Sequence, residues 1–204
     1  MSGKFDTKAD LEVVNMTIEA LKNNGIDAIL VSRDDAKQTV LDLIEKGSEV
    51  MTMTSVTLDE LGISEVINGS GDYVGLKPKL YSLDKATQGK EMRVIGAVHD
   101  YALGSVHAVT QDGQLVIASL TGSQLPAYAY TAEHVIWVVG TQKITKDLNE
   151  AMERLNTHTL ELESERARKA YGVPGSAIAK TLIFSKEIIP GRVKVVFVDD
   201  AIGY

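Results

Sequence analysis

The chain has 204 residues, no cysteine and a formal net charge of −7, from 21 Lys+Arg against 28 Asp+Glu. Without cysteine it can build neither a disulfide scaffold nor a thiolate zinc site nor a cysteine-ligated iron–sulfur cluster, and its acidic balance lacks the basic field of a general nucleic-acid binder. Hydrophobic residues at 44% and charged residues at 24% supply the material for a core and argue against disorder.

Leu11, Val14, Ile18 and Leu21 fall at helical spacing, with Asn23-Asn24-Gly25 as a stop. The first ten residues carry no apolar leader, so a cytoplasmic protein is expected. Asp27–Val31 reads as a strand. Ser32 reads as the N-cap of a second helix bearing Ala36, Val40, Leu43 and Ile44, closed by Lys46-Gly47. Val50–Met53 is the next strand, and Thr57-Leu-Asp-Glu60 has the form of a capping box opening a third helix. Asn68–Gly71 is a loop, and 72–89 shows no clear period.

Met92–Val98 predicts a helix or its end. Tyr101–Leu103 and Val106–Thr110 read as extended, Gln111-Asp112-Gly113 as a hairpin turn, and Leu115–Ala118 as the returning strand. Ser119–Pro126 is polar and leads into a small-residue helix with Ala127, Ala129 and Ala132. Val135–Val139 is the longest apolar run, too short to span a bilayer and suited to a strand covered on both faces. Thr145 or Lys146 opens a long helix through Leu162, stopped by Gly172 and Pro174. Ala179–Phe184 and Val193–Val198 close the chain as a strand pair joined through Pro190-Gly191. The alternation predicts an α/β fold, a mostly parallel sheet flanked by helices with an antiparallel hairpin section.

No dinucleotide fingerprint, Walker sequence, nucleophile elbow or zincin motif occurs. No metal site and no cofactor is evident. His99 and His107 could serve as metal ligands or bases, or be plain strand-edge residues. Thr54, Ser55 and Thr57 sit where a strand feeds a helix, a place suited to an anion as well as to capping. Thr121-Gly122-Ser123 forms a second such junction. Lys143 follows the apolar strand and could offer a positive charge to the same edge, or simply be solvated. The run Glu161–Lys169 reads as a solvated helix face with i,i+3 and i,i+4 ion pairs, or as a homo-oligomer contact.

Taken in order, Ser55–Ile63, Gly104–Val116, Thr121–Ser123, Val135–Leu148 and Glu150–Arg154 resemble the LUD domain of the lactate utilization family, from about Asp10 onward. The resemblance implies a NagB/RpiA/CoA-transferase-like fold, one LUD-type domain over 1–204, and lactate metabolism beside an iron–sulfur oxidoreductase partner subunit. This chain departs from the family pattern at Gln111, where many members are acidic, and at His107, where many have Asn. It departs again at Gln124, where an anion-pairing arginine is common. It resembles the short, cluster-free form of the family, so any redox role rests on a partner. The leading expectation is a small anionic metabolite bound near Thr54, Ser55, Thr57, Gly104, Thr121, Gly122, Ser123 and Lys143. The alternatives are an isomerase or CoA-transferase-like enzyme on a phosphorylated or CoA-linked metabolite, with Asp112, His107 or Glu60 as acid or base, and a non-catalytic scaffold subunit.

Overall fold

The computed structural model describes residues 3–204; Met1 and Ser2, the head of the segment read for a leader, lie outside them. The opening helix α1 (Leu11–Asn23) buries Val14, Thr17, Ile18 and Leu21, and strand β1 (Asp27–Val31) follows. Helix α2 (Arg33–Asp42) is capped by Ser32, whose hydroxyl accepts from the Asp35 amide. Strand β2 (Glu49–Thr52) then feeds helix α3 (Val56–Glu60) and helix α4 (Ile63–Gly69). The cap of α3 is Ser55, which accepts from the Leu58 amide, so the cap lies two residues before the predicted one at Thr57. Thr57 is buried in its first turn.

The unreadable stretch holds a two-residue strand β3 (Val74–Gly75) and helix α5 (Leu76–Ser82). Pro78 lies in the first turn of α5, where no amide bond is lost. Helix α6 (Gly89–Ala97) begins three residues before the predicted one. Strand β4 (Tyr101–Gly104), the hairpin strands β5 (Ala108–Thr110) and β6 (Leu115–Ser119), and a π-helical turn at Ala127–Thr131 follow. Next come strand β7 (His134–Gly140) and the short strand β8 (Ile144–Thr145). The long helix runs as α7 (Leu148–Arg154), a π-helical turn at Leu155–Thr159, and α8 (Leu160–Tyr171), stopped by Gly172 at φ 66°. Strands β9 (Lys180–Phe184) and β10 (Val193–Val198) complete the order.

The six-stranded central sheet runs β1-β10-β7-β4-β2-β3 with every pairing parallel. A second sheet runs β8-β5-β6-β9 and is mixed. Two expectations need correcting. The strands β9 and β10 do not pair with each other: β9 runs antiparallel to β6 in the second sheet, while β10 lies between β1 and β7 in the first. Likewise β4 belongs to the central sheet and only β5 and β6 form the hairpin. Hydrophobic alternation says which face a strand buries and leaves its neighbour open.

Alternate residues of β7 serve two cores. Val135, Trp137 and Val139 pack with α1 and with Val109, Leu115 and Ile117 of the second sheet. Ile136 and Val138 pack with Ala36, Val40, Leu58 and Ile63 of α2 to α4. The outer face of the second sheet is closed by Ala151 and Leu155 against Ala108 and Val116. The α/β sheet is therefore covered on both faces, as its continuous apolar strands require.

Candidate functional site

In an all-parallel sheet the carboxyl ends of the strands lie along one edge, and ligands bind there. Four strands end together at this edge. Thr54–Thr57 follow β2, Ser105–His107 follow β4, Thr141–Lys143 follow β7, and Asp199–Tyr204 follow β10. Thr54–Thr57, Ser105–His107 and Tyr204 open onto a cleft of about 420 Å³ whose other walls are Ser119–Thr121, Ser123 and the inner face of the long helix.

Lys143 sits in a tight 3-10 turn that carries the chain from the central sheet into β8, where Ile144 pairs with Val109. This pins its side chain between the two sheets. It is completely buried, against the solvated alternative, and its Nζ donates to Thr57 Oγ1 and Ser105 Oγ at 3.0 Å each. Both hydroxyl residues line the cleft. Burial holds the Lys143 amine well below the usual lysine range, and the nearby Arg154 charge pushes it the same way.

Arg154 ends α7 with no exposed surface. Its Nη1 donates to the His107 carbonyl and, at 2.9 Å, to Thr159 Oγ1, while Nε and Nη2 have no hydrogen-bond partner among the described residues. Burial lowers it to about 10, so it keeps its charge at neutral pH. Among the described residues, no ion pair joins Lys143 or Arg154 to a carboxylate. The contrast is Arg192, almost as buried, whose Nη1 lies 2.7 Å from Glu187 Oε2 and whose remaining donors meet the Ala127, Tyr128 and Ala132 carbonyls.

His107 lies on the cleft wall, with Nδ1 accepting from the Ala118 amide at 3.1 Å. That bond fixes the neutral tautomer with the proton on Nε2, which has no partner among the described residues. Burial, reinforced by Lys143 and Arg154, holds its pKa down to about 3. Across the cleft Glu163 takes a bidentate bond from Arg166, 2.7 Å on each oxygen, and accepts from the Tyr204 hydroxyl at 2.8 Å. Burial pushes the Glu163 carboxyl up, but these donors outweigh it and hold it below its ordinary range. Gly203, at φ 57°, lets the segment after β10 press against Thr57: a Cβ there would collide with Thr57 Oγ1. Gln142 Nε2 ties the same segment down through the Ile202 carbonyl at 2.8 Å and the Gly203 carbonyl at 3.1 Å.

The structure brings Thr54, Ser55, Thr57, Thr121, Ser123 and His107 to the cleft, with Lys143 behind Thr57 and Ser105. Gly104 lies beneath the Tyr128 hydroxyl, which a Cβ would strike, and Gly122 is covered by the Lys180 stem. Asp112 lies elsewhere, bonded to the Thr110 hydroxyl within the hairpin turn. Glu60 faces Arg33 at 4.0 Å and accepts from the Gly203 amide at 3.4 Å. Ser105, Arg154, Thr159, Glu163, Arg166 and Tyr204 were not among the predicted site residues. Ser105 carried one available signal, a hydroxyl directly after a buried strand. Glu163 and Arg166 sat inside the charged run read as solvated; the i,i+3 pair is present, but it faces the cleft.

Among the described residues no cluster of metal-ligating side chains occurs, and no helix is long and apolar enough to cross a membrane. A structure of a DUF162 family protein from Deinococcus radiodurans is similar, with a TM-score of 0.57 at 12% identity over 92% of this chain and 96% of that one. A structure of eIF2B beta from Chaetomium thermophilum gives a TM-score of 0.40 at 14% identity, over 58% of this chain and 44% of that one. No curated protein matches. The family model of the LUD domain matches residues 14–198, and the chain belongs to the LUD-domain family.

Proposed function

We propose that this LUD-domain protein binds a small organic-acid anion in the cleft at the carboxyl ends of β2, β4, β7 and β10. It does so in the service of lactate or related organic-acid utilization, the role its family is associated with. The observation that carries the reading is the pair of buried basic side chains, Lys143 held towards its uncharged amine and Arg154 charged, that lack a carboxylate partner among the described residues. A buried, unpaired charge is strongly unfavourable. An anion in the cleft supplies the missing counter-charge. The hydroxyls of Thr57, Ser105 and Thr159 stand between these two side chains and the cleft and present donors to a carboxylate or a 2-hydroxyl group. The cleft volume falls within the range of about 300–1,000 Å³ common to small-molecule sites.

The reading has a signature in protons. An anion beside Lys143 favours its charged form and raises its pKa from the depressed value. Binding then takes up a proton, and affinity falls as pH rises. Calorimetric titration with lactate, pyruvate, a sugar phosphate and an acyl-CoA tests the reading. Saturable heat with one of the organic acids is expected, and no heat with any of the four overturns it.

A further inference from the structure

The triangle of Thr57, Lys143 and Ser105 has the makings of a reactive group. Lys143 Nζ lies 3.0 Å from Ser105 Oγ, inside the distance over which a base takes a proton. A lysine held by a carboxylate has no lone pair to offer, but this one is held by hydroxyls alone. Burial favours its uncharged amine, which carries a lone pair. At rest Nζ donates to both hydroxyls and the Ser105 O–H leans on the Val106 carbonyl at 3.4 Å; with the amine uncharged, one N–H holds Thr57 Oγ1 and the lone pair, turned to Ser105, accepts its O–H. Thr57 Oγ1 is packed closely against Gly203 and gives the amine an anchoring acceptor at 3.0 Å. Ser105 is half-buried and opens on the cleft, whereas Thr57 is almost fully buried, so Ser105 is the hydroxyl a ligand can reach.

We propose that Ser105 is a nucleophile and Lys143 its general base, acting on an activated acyl ester of a small organic acid bound in the cleft. Ser105 Oγ forms a bond to the acyl carbon as its proton passes to Lys143 Nζ. The bond from acyl carbon to leaving group breaks, and the leaving group departs with that proton. Water then attacks the acyl-Ser105 ester, Lys143 takes the water proton and returns it to Ser105 Oγ, and a carboxylic acid is released. Thr57 is a positioning residue. The proposal rests on the cleft of the anion reading, since the released acid, once its proton has passed to the Lys143 amine, is the anion of that reading.

The test is labelling of the full chain with a fluorophosphonate, an irreversible serine reagent, read by intact mass and peptide mapping. One adduct per chain on Ser105 is expected, absent in Ser105→Ala and slowed about 100-fold or more in Lys143→Met, the size of a general-base contribution. Thr57→Val should slow labelling less and shift its pH profile. In the wild type the rate should rise with pH and level off below the ordinary lysine range, a readout that stands even if Lys143→Met does not fold. No adduct, an adduct elsewhere, equal labelling of Lys143→Met, or a rate that climbs with hydroxide without levelling overturns the dyad. Organic-acid binding by calorimetry without Ser105 labelling overturns the dyad and spares the anion reading. Labelling of Ser105 without organic-acid binding supports the dyad and overturns the anion reading.

Discussion

Arg154 and Arg192 are both buried guanidinium groups, and replacing each with Met should give opposite answers. Arg154 makes two hydrogen bonds, to the His107 carbonyl and Thr159 Oγ1, each about 1.5–3 kcal/mol for a charged donor. It also carries two buried donors, Nε and Nη2, without partners, each at a cost of about 1–3 kcal/mol. Arg154→Met removes the unpaired donors and the buried charge but leaves the His107 carbonyl and Thr159 Oγ1 without this donor, and methionine refills most of the volume; these opposing effects should leave stability within about 1.5 kcal/mol of the wild type. In a chain of this size about 1 kcal/mol corresponds to about 2–4 °C, so Tm should stay within about 6 °C. Arg192→Met breaks a buried ion pair with Glu187 and takes a donor from three carbonyls, which should cost about 3–5 kcal/mol and lower Tm by about 6–20 °C. Differential scanning calorimetry of the two variants beside the wild type reads the difference. If Arg154→Met falls as far as Arg192→Met, Arg154 is a structural brace, and its lack of a carboxylate says nothing about a ligand.

Other variants probe the same wall. His107, held down to about 3, binds fewer protons folded than unfolded between that value and about 6.5. It therefore contributes stability above pH 6.5 that is lost as pH falls, and His107→Asn should flatten the acid limb of the stability curve by up to about 1.4 kcal/mol per pH unit; an unchanged limb in urea melts would contradict this. Glu163→Gln frees Arg166 and makes the cleft one charge more positive, so organic-acid affinity should rise in calorimetric titration; weaker binding would count against an anion site. Gly203→Ala drives a Cβ into Thr57 Oγ1 at a positive φ, so Tm should fall and Lys143 should lose its held geometry; a Tm equal to the wild type would show that the segment yields freely.

The strands of the central sheet were legible because each is a short apolar run: Asp27–Val31, Val135–Val139 and Val193–Val198 lie within a residue or two of where they were predicted. Their partners were not, since β9 and β10 follow one another in sequence yet join different sheets. The segment 72–89 hid its structure because β3 is two residues long and α5 only seven, too short for a period to show. The hydroxyl-rich ends of β2 and β6 were visible as composition. Lys143 and Arg154 were not visible as a pair, because burial of a charged side chain leaves no mark in hydropathy. Lys143 is buried by a turn that moves the chain between two sheets, and Arg154 by the helix packed over the second sheet. Asp112 illustrates the converse: a carboxylate in a turn motif looked available for chemistry, and the turn uses it.

The anion site is tested most directly by titrating the wild type and Arg154→Met with the same organic acid, in two buffers of different ionisation enthalpy. The wild type should bind with net proton uptake, traceable to Lys143 regaining its charge, and Arg154→Met should bind at least about tenfold more weakly, the equivalent of about 1.4 kcal/mol. Binding with no proton uptake and equal affinity in the variant would contradict it.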